Sequence, residues 1–276
     1  MTTPPITALH IGVNEVNPGS FESPPRRLQG AEADARALSE RTVAAGLSPR
    51  VLVGGDAKRA NVIAALDEAA AALAPGALFV LSFSGHGAQD DDAFGPRRDD
   101  ELDGLDEVWC LADDFLLDDE LYAQLARFRA GVRVLVIADC CHAGSGLELT
   151  TATELPPGWE PRRYARADAR RSLEARAPEL RARVQALGQR GAVGASVILL
   201  GACPSGGFAY EADGHGVFTA AFCALWDRGA PLSHRAFIDA LQPACAPQGP
   251  VYEFIAPEAR GFAGQRPLTA AAPPRR

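Results

Sequence analysis

Two apolar runs in this sequence end in residues that can do covalent chemistry. ALFVLSF over 77–83 runs into Ser84-Gly85-His86-Gly87, and VRVLVIA over 132–138 runs into Asp139-Cys140-Cys141-His142-Ala143-Gly144-Ser145. A cysteine thiolate is a nucleophile, and an adjacent imidazole assists its attack and protonates the leaving amine. Each run reads as a buried strand, and in open parallel sheets active sites gather just beyond the carboxyl ends of the strands. A histidine and a cysteine leaving neighbouring strands there would face each other across a shallow cleft. Gly87 lets the backbone approach a substrate, and its N–H with that of Cys141 could hold a developing oxyanion.

Other cysteine chemistries fail on spacing. A phosphatase loop needs an arginine six positions after its cysteine, and those positions hold Leu147 and Gly146 for Cys141 and Cys140. A structural zinc site wants separated C-x-x-C pairs, which the sequence lacks. Cys110, Cys203, Cys223 and Cys245 lie in apolar surroundings and read as core residues. A second Gly-His-Gly, at 214–216, follows the polar stretch YEAD and reads as a loop. His10 and His234 show no partner signal and read as structural or surface residues.

The elements that must position these residues alternate between strand and helix. Short apolar runs at 8–13, 50–53, 77–83, 132–138, 196–201 and 251–255 predict strands. Helical composition and spacing predict helices over 30–45, 61–73, 118–128, 217–225 and 234–241. Such alternation means an α/β fold, an open and mostly parallel sheet with helices on both faces. Residues 150–195 break the pattern, with four prolines and nine arginines between Arg162 and Arg190. We read this stretch as an exposed linker, part of it helical through Leu180, Val184 and Leu187. It divides a front part (1–149) from a back part (196–276) of a single domain.

Composition narrows the setting. The 276 residues are 47% hydrophobic and carry a formal charge of -8, which supports a sizeable core and argues against a nucleic-acid binder. Residues 90–120 hold 14 acids against 2 arginines, a block that reads as a solvated loop or as a cation site. The amino terminus shows no secretory signal and no apolar stretch reaches the length of a membrane span, so a cytoplasmic, reducing setting without a membrane partner is expected.

With these residues in view, the sequence resembles the metacaspase (orthocaspase) branch of the caspase-like cysteine peptidases. SFSGHG resembles that family's histidine motif, and DCCHAGS its cysteine motif, whose third position selects Cys141 over Cys140 as nucleophile. LQGAEADA at 28–35 and GVFTAAF at 216–222 resemble flanking signatures. The resemblance implies a three-layer caspase-like sandwich with a central, mostly parallel six-stranded sheet, and endopeptidase activity on protein or peptide substrates with exposed arginine. It implies that Asp34, Ser84 and Asp139 line the S1 pocket, which takes the residue on the amino side of the cut bond. Carboxylates there favour a guanidinium, and arginine over lysine. It further implies calcium held by Asp106, Asp118, Asp119 and Glu148, the last standing where the family has an aspartate. Self-processing is expected somewhere between Arg162 and Arg190. The activating cue would be calcium, self-cleavage or a partner. The competing expectation is a catalytically silent scaffold of the same fold.

Overall fold

The computed structural model describes residues 5–91, 105–141, 155–189, 191–204, 207–255 and 261–270. In chain order the strands and helices begin with β1 (Ala8–Gly12), α1 (Ala31–Ala44), β2 (Pro49–Val53), α2 (Arg59–Ala72) and β3 (Leu78–Ser84). There follow β4 (Gly87–Asp91), β5 (Leu105–Cys110), β6 (Phe115–Leu117), α3 (Asp118–Leu125) and β7 (Arg133–Asp139). The remainder is β8 (Glu160–Pro161), α4 (Arg166–Leu187), β9 (Ser196–Gly201), β10 (Tyr210–Ala212), β11 (His215–Gly216), α5 (Val217–Asp227), α6 (His234–Cys245) and β12 (Val251–Phe254).

A six-stranded sheet in the order β12-β9-β7-β3-β1-β2 forms the middle layer. All its pairings are parallel except β12 with β9. Because side chains alternate along a strand, each inner strand feeds two cores. Leu9, Ile11, Phe79, Leu81, Phe83, Val134 and Val136 pack with α2, α3 and α4 through residues such as Leu66, Leu125 and Leu173. Their neighbours Ala8, Leu78, Val80, Leu135 and Ile137 pack the other way, on Leu38 of α1, Phe218 and Phe222 of α5, and Phe237 of α6. Burying both faces explains the unbroken apolar runs, and each fully buried Leu or Phe contributes about 1.5–3 kcal/mol. The three-layer α/β arrangement expected from the sequence is the one observed.

The linker departs from expectation. Its arginines mark no exposed insertion: α4 is a 22-residue helix that buries Ala169, Ser172, Leu173, Leu180 and Val184 against the front part. The predicted helical face was right for Leu180 and Val184, while Leu187 is exposed. Arg170, Arg171, Arg176 and Arg183 of α4 make ion pairs, the first two within the helix itself. Arg183 meets Asp114 at 3.1 Å and Glu120 at 2.5 Å, and Arg176 meets Asp114 at 2.6 Å. Composition alone reads such a face as solvated. The helix instead lays Arg176 and Arg183 on Asp114 and Glu120, while Arg166, Arg170, Arg171 and Arg181 stay exposed.

Two small sheets were not anticipated. β4, β5 and β6 form an antiparallel meander directly after the histidine, and β11, β10 and β8 form another beside the nucleophile. Their strands are short, and β4, β8, β10 and β11 are mostly polar, while the apolar β6 has only three residues, too few for a periodicity that makes a strand legible.

Candidate active site

The parallel register places the two reactive residues side by side. Ser84 of β3 pairs with Asp139 of β7, and His86 and Cys141 each lie two residues beyond that pair. Gly87 is required where the two segments meet, because a Cβ there would collide with the Cys141 carbonyl oxygen. The cysteine is buried, and so is the histidine. The remainder of the cysteine motif, His142 onward to residue 154, lies outside the described residues.

Each group has a defined partner. His86 Nε2 lies 2.8 Å from the carbonyl oxygen of Arg26 and can donate to it, which in the neutral ring leaves Nδ1 as the lone-pair nitrogen. Among the described residues Nδ1 has no hydrogen-bond partner, the state required of a base awaiting a proton. Burial lowers the His86 pKa to about 4, opposed by the backbones of Arg26 and Arg162 and reinforced by their charges. Cys141 Sγ accepts from the Ala209 N–H at 2.9 Å and lies 3.4 Å from the Ala209 carbonyl. Burial pushes this thiol up to about 12, with the Ala209 N–H and Arg162 pulling the other way. Near neutral pH the site therefore holds an uncharged thiol beside an uncharged imidazole.

Asp34, Ser84 and Asp139, predicted as pocket residues, converge on one buried guanidinium from the chain itself. Arg162 is fully buried. Its Nη2 donates to Asp34 Oδ2 at 2.6 Å, and its Nη1 donates to Ser84 Oγ at 2.5 Å and to the Asp139 carbonyl at 3.1 Å. Asp139 Oδ1 stands 3.4 Å from Nη1 and Glu211 Oε2 3.7 Å from Nε. Burial raises the Asp34 carboxyl, but Arg162, His215 and Ser84 more than offset it and the net shift is downward. Asp139 ends raised, pushed by burial and by the Asp34 charge against the pull of Arg162 and Thr219. The Arg162 pKa is raised because the surrounding carboxylates outweigh its own desolvation.

Sequence reasoning missed three pocket residues. Glu211, on β10, also accepts the N–H groups of Gln29 and Gly30 at the entry to α1, holding the helix that carries Asp34. His215 Nδ1 lies 3.0 Å from Asp34 Oδ1, and the Gly216 N–H donates to the same carboxylate. The second Gly-His-Gly, read from the sequence as a loop, thus forms a wall of the pocket. At Gly216 a Cβ would strike the Asp139 carboxylate and come within 2.7 Å of Arg162 Nη1. The exposed acid-rich setting of Glu211 and His215 in the sequence offered no signal, since their partner Asp34 is remote in the chain.

The segment carrying Arg162 lies in the cleft as an extended peptide. Pro161 and Glu160 pair antiparallel with Tyr210 and Glu211, the Arg162 N–H donates to Ala209 O at 2.8 Å, and an isolated parallel bridge joins Arg163 to Gly87. The Arg163 guanidinium sits 5.6 Å above the Phe208 ring.

The remaining predicted residues divide. Asp118 and Asp119 open α3, where Asp118 Oδ1 caps the Asp119 N–H. The Asp106 side chain and all of Glu148 lie outside the described residues. Among the described residues no three His, Cys, Asp or Glu side chains cluster in a way that could hold a metal ion. The cysteines read as core residues are buried, as is Cys140. His10 is structural: it is buried between Ser82 Oγ at 2.7 Å and Thr42 Oγ1 at 3.0 Å. His234 is buried against Phe262. Among the described residues no helix is long and apolar enough to cross a membrane.

Comparison with known proteins returns one consistent answer. Residues 7–242 match the family model described as the caspase domain. A crystal structure of the protein GSU0716 from Geobacter sulfurreducens superposes with a TM-score of 0.83 at 33% identity, covering 97% of this chain and 100% of that one. Metacaspase-1B of Aspergillus fumigatus is 36% identical over 96 residues, 33% of this chain and 22% of its own length. Metacaspase-1 of Coccidioides immitis is likewise 36% identical over 96 residues, 33% of this chain and 20% of its own. The matched region thus spans about a fifth of these curated relatives.

Proposed function

Because the chain belongs to the caspase-domain family, we propose that it is a cysteine endopeptidase that cuts after arginine, with Cys141 as nucleophile and His86 as its base. The observation that carries this reading is the Arg162 guanidinium, fully buried among Asp34, Ser84, Asp139 and Glu211, on a residue whose backbone N–H donates to Ala209, the partner of the cysteine. A planar cation with five donors matches such a ring of acceptors, whereas a lysine ammonium is a point charge that cannot address them all.

The chemistry follows from the protonation states. His86 Nδ1 takes the Cys141 proton as sulfur adds to the carbonyl carbon, so that no thiolate need persist in a buried site. The N–H groups of Gly87 and Cys141 take the oxyanion. His86 then returns the proton to the departing amine, and water admitted after that amine leaves hydrolyses the thioester.

Self-processing belongs to the same reading, supported by an arginine of the linker already lying in the pocket. Calcium belongs to it through Asp118 and Asp119, adjacent hard oxygen donors which, with Asp106 and Glu148, would make a site of the kind calcium takes. Bound there, the ion would neutralise part of the acidic block. An activating partner and a cytoplasmic setting remain part of the proposal, with protein substrates bearing exposed arginine.

The test is hydrolysis of paired fluorogenic peptides, arginine against aspartate at P1, with calcium or with chelator, beside Cys141→Ala. Arginine turnover that is lost in the variant is expected, with a fall in excess chelator. Preference for the aspartyl peptide would overturn the pocket reading, unchanged activity in chelator would remove calcium, and silence in every lane together with a chain that never cuts itself would favour a scaffold.

A further inference from the structure

The extended segment in the cleft is held on both sides of Arg162, and the two holds are independent. On the amino side, β8 pairs with β10, and Arg26 donates to Glu160 at 2.8 Å and to the Pro161 carbonyl at 2.7 Å. The Arg162 side chain adds its ring of carboxylates, and the Trp159 ring lies 5.8 Å from that of Tyr210. On the carboxyl side, Arg163 bridges to Gly87, and the buried Tyr164 donates its hydroxyl to the Ser23 carbonyl at 2.6 Å. Immediately beyond, α4 is fastened by its apolar face and by Arg176 and Arg183. Arg163, the other arginine of the extended stretch, lays its guanidinium over the Phe208 ring and not among the carboxylates. The remaining arginines of the described linker lie within α4, whose helical backbone cannot lie along a cleft that takes an extended chain.

We propose that the bond between Arg162 and Arg163 is the one the chain cuts in itself, and that the cut alone leaves the site closed. This rests on the peptidase reading above and deepens it. Cys141 Sγ bonds to the Arg162 carbonyl carbon, and the bond from that carbon to the Arg163 nitrogen breaks. The thiol proton reaches that nitrogen through His86. Water then replaces sulfur, leaving an Arg162 carboxylate, an Arg163 amine and a free thiol. Neither new end depends on the broken bond for its place. The Arg162 side chain stays in the pocket as a tethered product, at an effective concentration in the millimolar range or above, which outside peptides must displace. Opening requires β8 to leave β10, so release of that strand is the step that switches the enzyme on. Cleavage only permits it.

The experiment follows one sample by two readouts. Full-length protein is incubated, the cut fraction and the new amino terminus are read by intact mass, and turnover of a peptide with arginine at P1 is read in parallel. Arg162→Ala and Arg162→Gln are run beside it, the second keeping a side chain that can hydrogen-bond in the pocket if the first fails to fold. We expect Arg163 as the new terminus, peptide turnover that stays low while the cut goes to completion, and uncut variants faster than the cut parent by on the order of a hundredfold. Turnover rising in proportion to the cut fraction, up to the level of the variants, would overturn the retained plug. A terminus other than Arg163 would overturn the assigned bond. Parent and variants equally silent, with the parent chain left uncut, would defeat the peptidase reading itself, and the inference with it; a cut parent beside silent variants would overturn the retained plug.

Discussion

At the scale of single residues, the sealed site fixes protonation before any substrate arrives. His86 is driven down to about 4 and Cys141 up to about 12, chiefly by burial. The base form of His86 is the working one, so self-cutting should rise as pH climbs through about 4 and then stay level across neutrality. The charged groups acting on His86 are Arg26 and Arg162, both of which disfavour the imidazolium. Replacing Arg162 by Ala lets water in and removes one of those charges. For peptide turnover in that variant the rising limb should therefore move up, toward the ordinary range of histidine near 6.5. A pH series of self-cutting in the parent beside peptide turnover in the variant checks both, and coincident limbs would contradict the burial argument. His86 and Cys141 were legible as a candidate pair because each follows the end of a buried strand, whereas Asp34, Ser84 and Asp139 were named only through the family resemblance. Glu211, His215 and Gly216 were not legible as pocket residues, since nothing local distinguishes them from turn residues. Their role comes from Asp34, which only the folded chain brings near.

At the scale of elements, α4 is the least expected and the most consequential. It looked like a solvated linker because a run rich in Arg, Ala and Glu is helical in preference but gives no sign of where its charged face will rest. In the fold, Arg183 lies against Glu120, whose pKa is lowered by Arg183 and Arg59 against the effect of burial. Removing one partner of a half-buried network usually costs about 1–3 kcal/mol, because the remaining charge loses its compensation. Arg183→Ala should lower stability by that amount in denaturant titration. It should also speed peptide turnover by the cut chain, since α4 fastens one side of the plugged segment. Loss of stability with no gain in turnover would mean that the amino-side hold suffices. The main strands and helices were legible within a few residues. The short polar strands that frame the cleft were not, for they exist only through pairing with one another.

At the scale of the whole molecule, a cut after Arg162 would part β1–β8 from β9–β12 in the chain but not in space. β9 lies parallel to β7 along six residue pairs, and β12 lies beyond β9. That seam is buried on both faces, so the pieces should travel together in native size-exclusion chromatography and part only in denaturant. Early separation under native conditions would show the seam to be weaker than its burial implies.

The pocket straddles the same seam. Asp34, Ser84 and Asp139 come from the part before the cut, and Glu211, His215 and Gly216 from the part after it. The proposed selectivity for a cation would therefore be held jointly, like the two halves of a torn banknote. Fragments produced separately would each be blind to arginine, and recovery of that recognition on mixing would serve as a gauge of their encounter.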